Sequence, residues 1–72
     1  MRLSYFPDTD SLYIDLVDRP AFESEEVSEG VVVDYDAGGA LVGIEVDSAS
    51  TRMDLTRLVL NRMPAKPEIT SA

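Results

Sequence analysis

Between Gly30 and Glu45 the chain reads GVVVDYDAGGALVGIE, two β-branched apolar runs separated by Asp-Ala-Gly-Gly. The joining residues are those that accept tight-turn dihedrals, so the segment is a β-hairpin, and it constrains the fold class far more than any activity. Two registers compete. A four-residue loop of Asp36 to Gly39 sets Val33 opposite Val42 and Val31 opposite Ile44, giving one face made wholly of β-branched residues. A three-residue loop sets Asp34 opposite Val42 and leaves a carboxylate beside the core. The first is preferred, with Gly38 or Gly39 taking the left-handed conformation that other residues adopt reluctantly.

Strands are expected on the N-terminal side as well. Leu3 to Phe6 reads as a short strand, and Pro7-Asp8-Thr9-Asp10 supplies a turn. In Ser11 to Val17, Leu12, Ile14 and Leu16 alternate with Tyr13, Asp15 and Val17, the period of two that marks a strand with one apolar face. Glu23 to Glu29 is charged, with Val27 its one apolar residue, and suits an exposed sheet edge. Past Val46 the pattern changes. Asp47, Ser48 and Ser50 are candidate N-caps, and Thr51 to Met63 is rich in Leu, Met and Arg without Gly or Pro, which predicts one helix. The expected fold is α+β: an antiparallel β-meander of four to five strands with a C-terminal helix packed on one sheet face. Residues 1–63 form the domain, and 64–72, bracketed by Pro64 and Pro67, form a flexible tail.

On a helical wheel, Met53, Leu55, Leu58, Val59, Leu60 and Met63 spread over more than half the circumference, and only Asp54, Arg57 and Asn61 form a polar stripe. One sheet face cannot cover such an arc. A second copy is the simplest complement, and Met53, Leu55, Val59, Leu60 and Met63 are the candidate interface. Size argues the same way. A chain of 72 residues sits near the limit at which one core offsets chain entropy, and without cysteine or histidine neither disulfides nor the usual structural metal sites can help.

The net charge of −8 argues against direct contact with nucleic acid, whose phosphates demand Lys and Arg. Charge is uneven: residues 1–50 hold two bases and twelve acids, a balance of −10, whereas 51–72 hold four bases and two acids, a balance of +2. A basic protein is the natural partner. No apolar signal core opens the chain and no run is long enough to span a bilayer, so a cytoplasmic location is expected.

Chemistry is correspondingly restricted. Without His or Cys, the commonest general base and the thiol nucleophile are missing, Lys66 lies in the tail, and Gly38-Gly39 opens no helix and cannot cradle a phosphate. What remains is carboxylates. Asp34 to Glu45 matches a twelve-residue calcium loop at Asp34, Asp36, Gly39, Leu41 and Glu45 but fails at Gly38. In a hairpin Glu45 would lie about 13 Å along the strand, at ~3.3 Å per residue, too far to close the same shell. Asp8 and Asp10 form a second Asp-x-Asp, in a turn where such acids accept backbone N–H bonds. Tyr5, Tyr13 and Tyr35 are read as cross-strand packing before a ligand patch. No catalytic, cofactor or metal site is assigned.

The ordered strings YFPDTDSLYIDL, SEEVSEGVVVDYDAGGALVGIEV and DSAS together resemble a small bacterial domain of unknown function, family 2283, over residues 5 to 50. Gly38 stands where that family more often has Asp or Asn, which weakens a metal reading of the turn further. The resemblance implies a sheet with a C-terminal helix and carries no catalytic residues. Relatives encoded beside small toxins point to an antitoxin role. The sequence therefore predicts a non-enzymatic acidic module that dimerises through the helix and binds a basic protein. The alternatives are a structural homodimer without a hetero-partner, or an enzyme using only carboxylates such as Asp8, Asp34 and Asp36.

Overall fold

A computed structural model describes residues 1–70; Ser71 and Ala72 of the expected tail lie outside the described residues. Five strands form one antiparallel sheet: β1 (Arg2–Phe6), β2 (Ser11–Asp15), β3 (Glu23–Ser28), β4 (Val31–Tyr35) and β5 (Leu41–Val46), followed by a single helical turn, α1 (Ala49–Arg52). The strand order is β1-β2-β5-β4-β3. Strands β3 to β5 are a meander, whereas β2 leads across to the far edge, so that β5 lies in the middle and the glutamate-rich β3 lies outermost, as its charges suit. The α+β class expected from the sequence is thus the class observed.

The crossover from β2 to β3 arches over the tip of the β4–β5 hairpin. It is tied there by the Phe22 N–H donating to the Tyr35 carbonyl at 2.7 Å and by Arg19 pairing with Asp36 at 3.3 Å. The tip takes the three-residue loop, Ala37 to Gly39, with Tyr35 opposite Leu41, in place of the four-residue loop preferred above. The Asp36 N–H donates to the Ala40 carbonyl and the Gly39 N–H to the Asp36 carbonyl, a type I turn closed by a left-handed Gly39 at φ 85°. The Asp36 carboxylate accepts from the N–H groups of Gly38 and Ala40, both at 2.9 Å. Farther along, a bulge at Val42 places Val33 opposite Ile44 and Val31 opposite Val46. The bulge reconciles burial with turn chemistry: the valines still meet β-branched partners, shifted by two residues, and Asp34 meets Gly43.

The registers divide the side chains into two faces. Leu3, Ile14, Ile44 and Val33 form one straight apolar row across β1, β2, β5 and β4, and Tyr5, Leu12, Val46 and Val31 form the next. Helix α1 covers only a corner of this face, where Leu12, Val46 and Ala49 are buried and Ile14, Ile44 and Met53 pack beside them. Among the described residues, Val42 and these three are the buried apolar ones, a small core for a chain of this length.

The helix expected over Thr51–Met63 does not form. Helix α1 ends at Arg52, Met53 is extended at φ −149°, and Asp54 turns the chain by accepting bonds from the N–H and hydroxyl of Thr56. Residues 54–70 have no regular structure and are exposed. Met53 packs beside the core, whereas every described residue after it is exposed. Beyond it a helix would have to stand on propensity alone, and short isolated helices are marginal in water.

The two glycines of the hairpin tip separate conformational strain from crowding. Gly39 has open space around its Cα but a positive φ, while Gly38 has only the Asp36 carboxylate nearby at 3.4 Å. Gly39→Ala should cost about 1 kcal/mol in chemical denaturation, and Gly38→Ala should be neutral or slightly stabilising.

Candidate functional site

The second face of the sheet is polar. One row runs Ser4, Tyr13, Glu45, Val32 and Glu26, and a second runs Arg2, Asp15, Gly43, Asp34 and Ser24. Alternation in β2, β4 and β5 requires this: the residues between the buried aliphatics are Tyr13, Asp15, Asp34, Gly43 and Glu45. Gly43 has no side chain, and the space a Cβ would fill is taken by the Tyr13 ring. Tyr13 therefore crosses strand β5 and donates its hydroxyl proton to Asp34 on β4 at 2.6 Å. The other Asp34 oxygen accepts from the Ser24 hydroxyl of β3, also at 2.6 Å. Three side chains thereby tie four strands together across their middle.

Electrostatics follow from that geometry. The hydrogen bond to Asp34 pushes the Tyr13 phenol up to about 12, helped by partial burial and by the charges of Asp34, Asp15 and Glu45. A phenol this reluctant to ionise is a hydrogen-bond donor and no general base at neutral pH. The carboxylates around it leave a face of negative charge in which Arg2 is the single base.

A second polar knot sits at the opposite end of the sheet from the hairpin tip. Asp10, itself left-handed at φ 51°, accepts the Ser50 hydroxyl at 2.7 Å and the Ser50 N–H at 3.1 Å. It also accepts the Tyr5 phenol at 2.7 Å, and its own carbonyl takes the Ala49 N–H at 2.8 Å. Ser48 is the N-cap residue of α1 but makes no side-chain cap bond, so a turn forty residues earlier caps the helix instead. The Ser50 and Tyr5 bonds hold the Asp10 carboxyl below its ordinary value. Its contribution to stability is therefore present above about pH 3.8 and is lost as the pH falls further.

The candidate residues read from the sequence divide as follows. Asp34 and Asp36 are engaged with Tyr13, Ser24 and turn N–H groups rather than arranged as a calcium loop. Asp8 and Asp10 lie in the β1–β2 turn. Tyr5 and Tyr35 share the apolar face while Tyr13 lies on the other, so the three tyrosines make no common patch. Met53 packs on the domain's own core, and Leu55, Val59, Leu60 and Met63 are exposed on irregular chain. The Tyr13–Asp34–Ser24 tie escaped the sequence reading. Its signal was Gly43 in an otherwise apolar strand, since an isolated strand glycine marks a close approach.

With the geometry in place, comparison with known proteins is informative on one point. Residues 2–50 match the family described as Protein of unknown function (DUF2283). The chain belongs to that family. No curated protein and no solved structure matches it. The matched DUF2283 region takes in all five strands and ends inside α1, so it contains both polar knots and excludes the irregular residues beyond. Among the described residues, no helix is long and apolar enough to cross a membrane.

The tie makes a measurable prediction at alkaline pH. The folded state favours the protonated Tyr13 phenol, so the stability it contributes is complete below pH 10 and is lost as the pH rises through about 12. Ultraviolet titration should show a tyrosine transition near that value, absent from Tyr13→Phe. A second substitution isolates the glycine. Gly43→Val should cost about 1–3 kcal/mol by displacing the ring, and Tyr13→Phe in the same chain should recover little, because the ring remains.

Proposed function

We propose that the protein is a non-enzymatic acidic binding module that self-associates through apolar surface and offers its polar face to a basic protein, the manner in which an antitoxin neutralises its toxin. The observation that carries the reading is the unequal pair of sheet faces. One is apolar and covered only at the α1 corner; the other carries Asp15, Glu26, Asp34 and Glu45 against Arg2 alone.

Surface area supports the self-association half. A compact chain of 7.9 kDa exposes about 4,400 Å² by the size scaling of monomers, whereas this one exposes 5987 Å². The excess, roughly 1,600 Å², includes the exposed residues 54–70, so part of it is the irregular chain and the remainder is apolar sheet surface open to an interface. Leu55, Val59, Leu60 and Met63, exposed on the irregular chain, belong to the surface such an assembly would bury. The hetero-partner half rests on charge. The sheet region, at −10 over residues 1–50, attracts basic proteins and repels nucleic acid, and the face carries neither His nor Cys, with Asp34 already bonded to Tyr13 and Ser24, which is why binding is preferred to catalysis. A cytoplasmic setting fits the absence of cysteine from the chain.

The two halves respond oppositely to salt, and this tests them separately. Raising salt from ~50 to ~300 mM should strengthen self-association, because it screens repulsion between like-charged copies, and should weaken capture of a basic protein encoded beside this chain. Light scattering and surface-plasmon association rates read the two. Asp15→Lys with Glu45→Lys should slow association with that partner on the order of tenfold or more and leave the self-associated mass unchanged. Equal salt responses, or an unaltered rate in the double variant, would count against the acidic face.

A further inference from the structure

The geometry points to strand β1 as the joint between two copies, paired antiparallel about a twofold axis at Ser4 to make one continuous ten-stranded sheet. This rests on the reading of the protein as self-associating and specifies where the copies meet.

The two sheet edges are built differently. Strand β3 carries Glu23, Glu25 and Glu26, with Glu29 just beyond, and a bulge between Glu26 and Ser28; charge and distortion of this kind keep an edge from pairing. Strand β1 has neither. It is regular along its length against β2, contains no acid and no proline, and leaves Leu3 and Tyr5 each 44% exposed and Phe6 51% exposed.

Its sequence is self-complementary. Antiparallel pairing centred on Ser4 sets Leu3 opposite Tyr5 of the second copy on the apolar face and Arg2 opposite Phe6 on the other. The first is an aliphatic–aromatic cross-strand pair and the second places a guanidinium against an aromatic ring. Each occurs twice, as a twofold interface requires. The apolar rows beginning at Leu3 and Tyr5 then run on into their counterparts without a break.

Charge selects the same edge. Two chains at −8 repel, and the cost is smallest where acids are farthest away. Strand β1 carries only Arg2, and the β3 glutamates lie four strand spacings off, about 19 Å, more than two Debye lengths at physiological salt. In the joined sheet the two β3 strands are nine spacings apart, about 43 Å. A second copy is therefore favoured over the strand of another protein, because the complement of RLSYF is RLSYF itself.

The chain contains no cysteine, so a single introduced thiol reports the joint in the 72-residue chain. Under mild oxidation, Ser4→Cys should form a covalent dimer on the order of tenfold faster than Glu26→Cys on the opposite edge, since opposed thiols meet at millimolar effective concentration. A mixture of Leu3→Cys and Tyr5→Cys chains should link to each other faster than either links to itself, which fixes the register. If light scattering gives a dimer but Ser4→Cys links no faster than Glu26→Cys, the joint is wrong and self-association stands. A single-chain mass at all salt concentrations overturns both. Faster linking of Leu3→Cys to itself overturns the register, and a cross-linked product whose mass is not twice the chain assigns the edge to another protein's strand.

Discussion

A single layer of five strands must be held in plane by ties running across it, because here only one corner is backed by anything else. Main-chain ladders join neighbours but leave the sheet free to twist and shear. The cross-strand side chains supply what a second layer would otherwise impose. Tyr13 reaches over Gly43 to Asp34, and Ser24 completes the span from β2 to β3. At one end of the sheet, Asp10 fastens the β1–β2 turn to α1, and with α1 comes the small core of Leu12, Val46 and Ala49. The polar side chains that look at first like candidates for chemistry are thus largely spent on holding the sheet together.

That expenditure explains why the two faces differ in what they can offer. On the apolar face, rows of aliphatic residues end at the β1 edge with no second layer over them among the described residues, and exposed apolar surface of this kind marks interaction sites. On the polar face, the Asp34 oxygens are already satisfied, while Asp15, Glu26 and Glu45 contribute charge rather than fixed geometry. A surface of that kind steers and orients an oppositely charged protein without demanding a particular small ligand.

Legibility in the sequence followed the physics of each element. Alternation in Ser11 to Val17 and the β-branched runs around Asp36 identified strands because period-two burial leaves a pattern in the chain itself. The glutamates of β3 identified an edge for the same reason. Register was harder: Val42 bulges, and a bulge depends on which partner is in reach, here the Leu16 N–H that donates to the Val42 carbonyl at 2.9 Å. The helix was misjudged because helical propensity in Leu55 to Met63 is local while the sheet contact that would sustain it is not. Its true boundary is set by Asp10, forty residues away, and no window of sequence around Ser48 contains that information. The family match stops at residue 50, three residues before Met53, which still packs beside the core.

The gradient of charge across the sheet follows from the same economy. A small protein with exposed aliphatic rows risks indiscriminate aggregation, and acids placed evenly around it would suppress every association alike. Concentrating glutamates on β3 and leaving β1 nearly uncharged does something different. It guards one edge and leaves the other unguarded, so that strand addition of the kind proposed would proceed once and then terminate on two guarded edges. On the proposed pairing, a closed twofold pair would result instead of a fibre, because after β1 meets β1 no unguarded strand would be left.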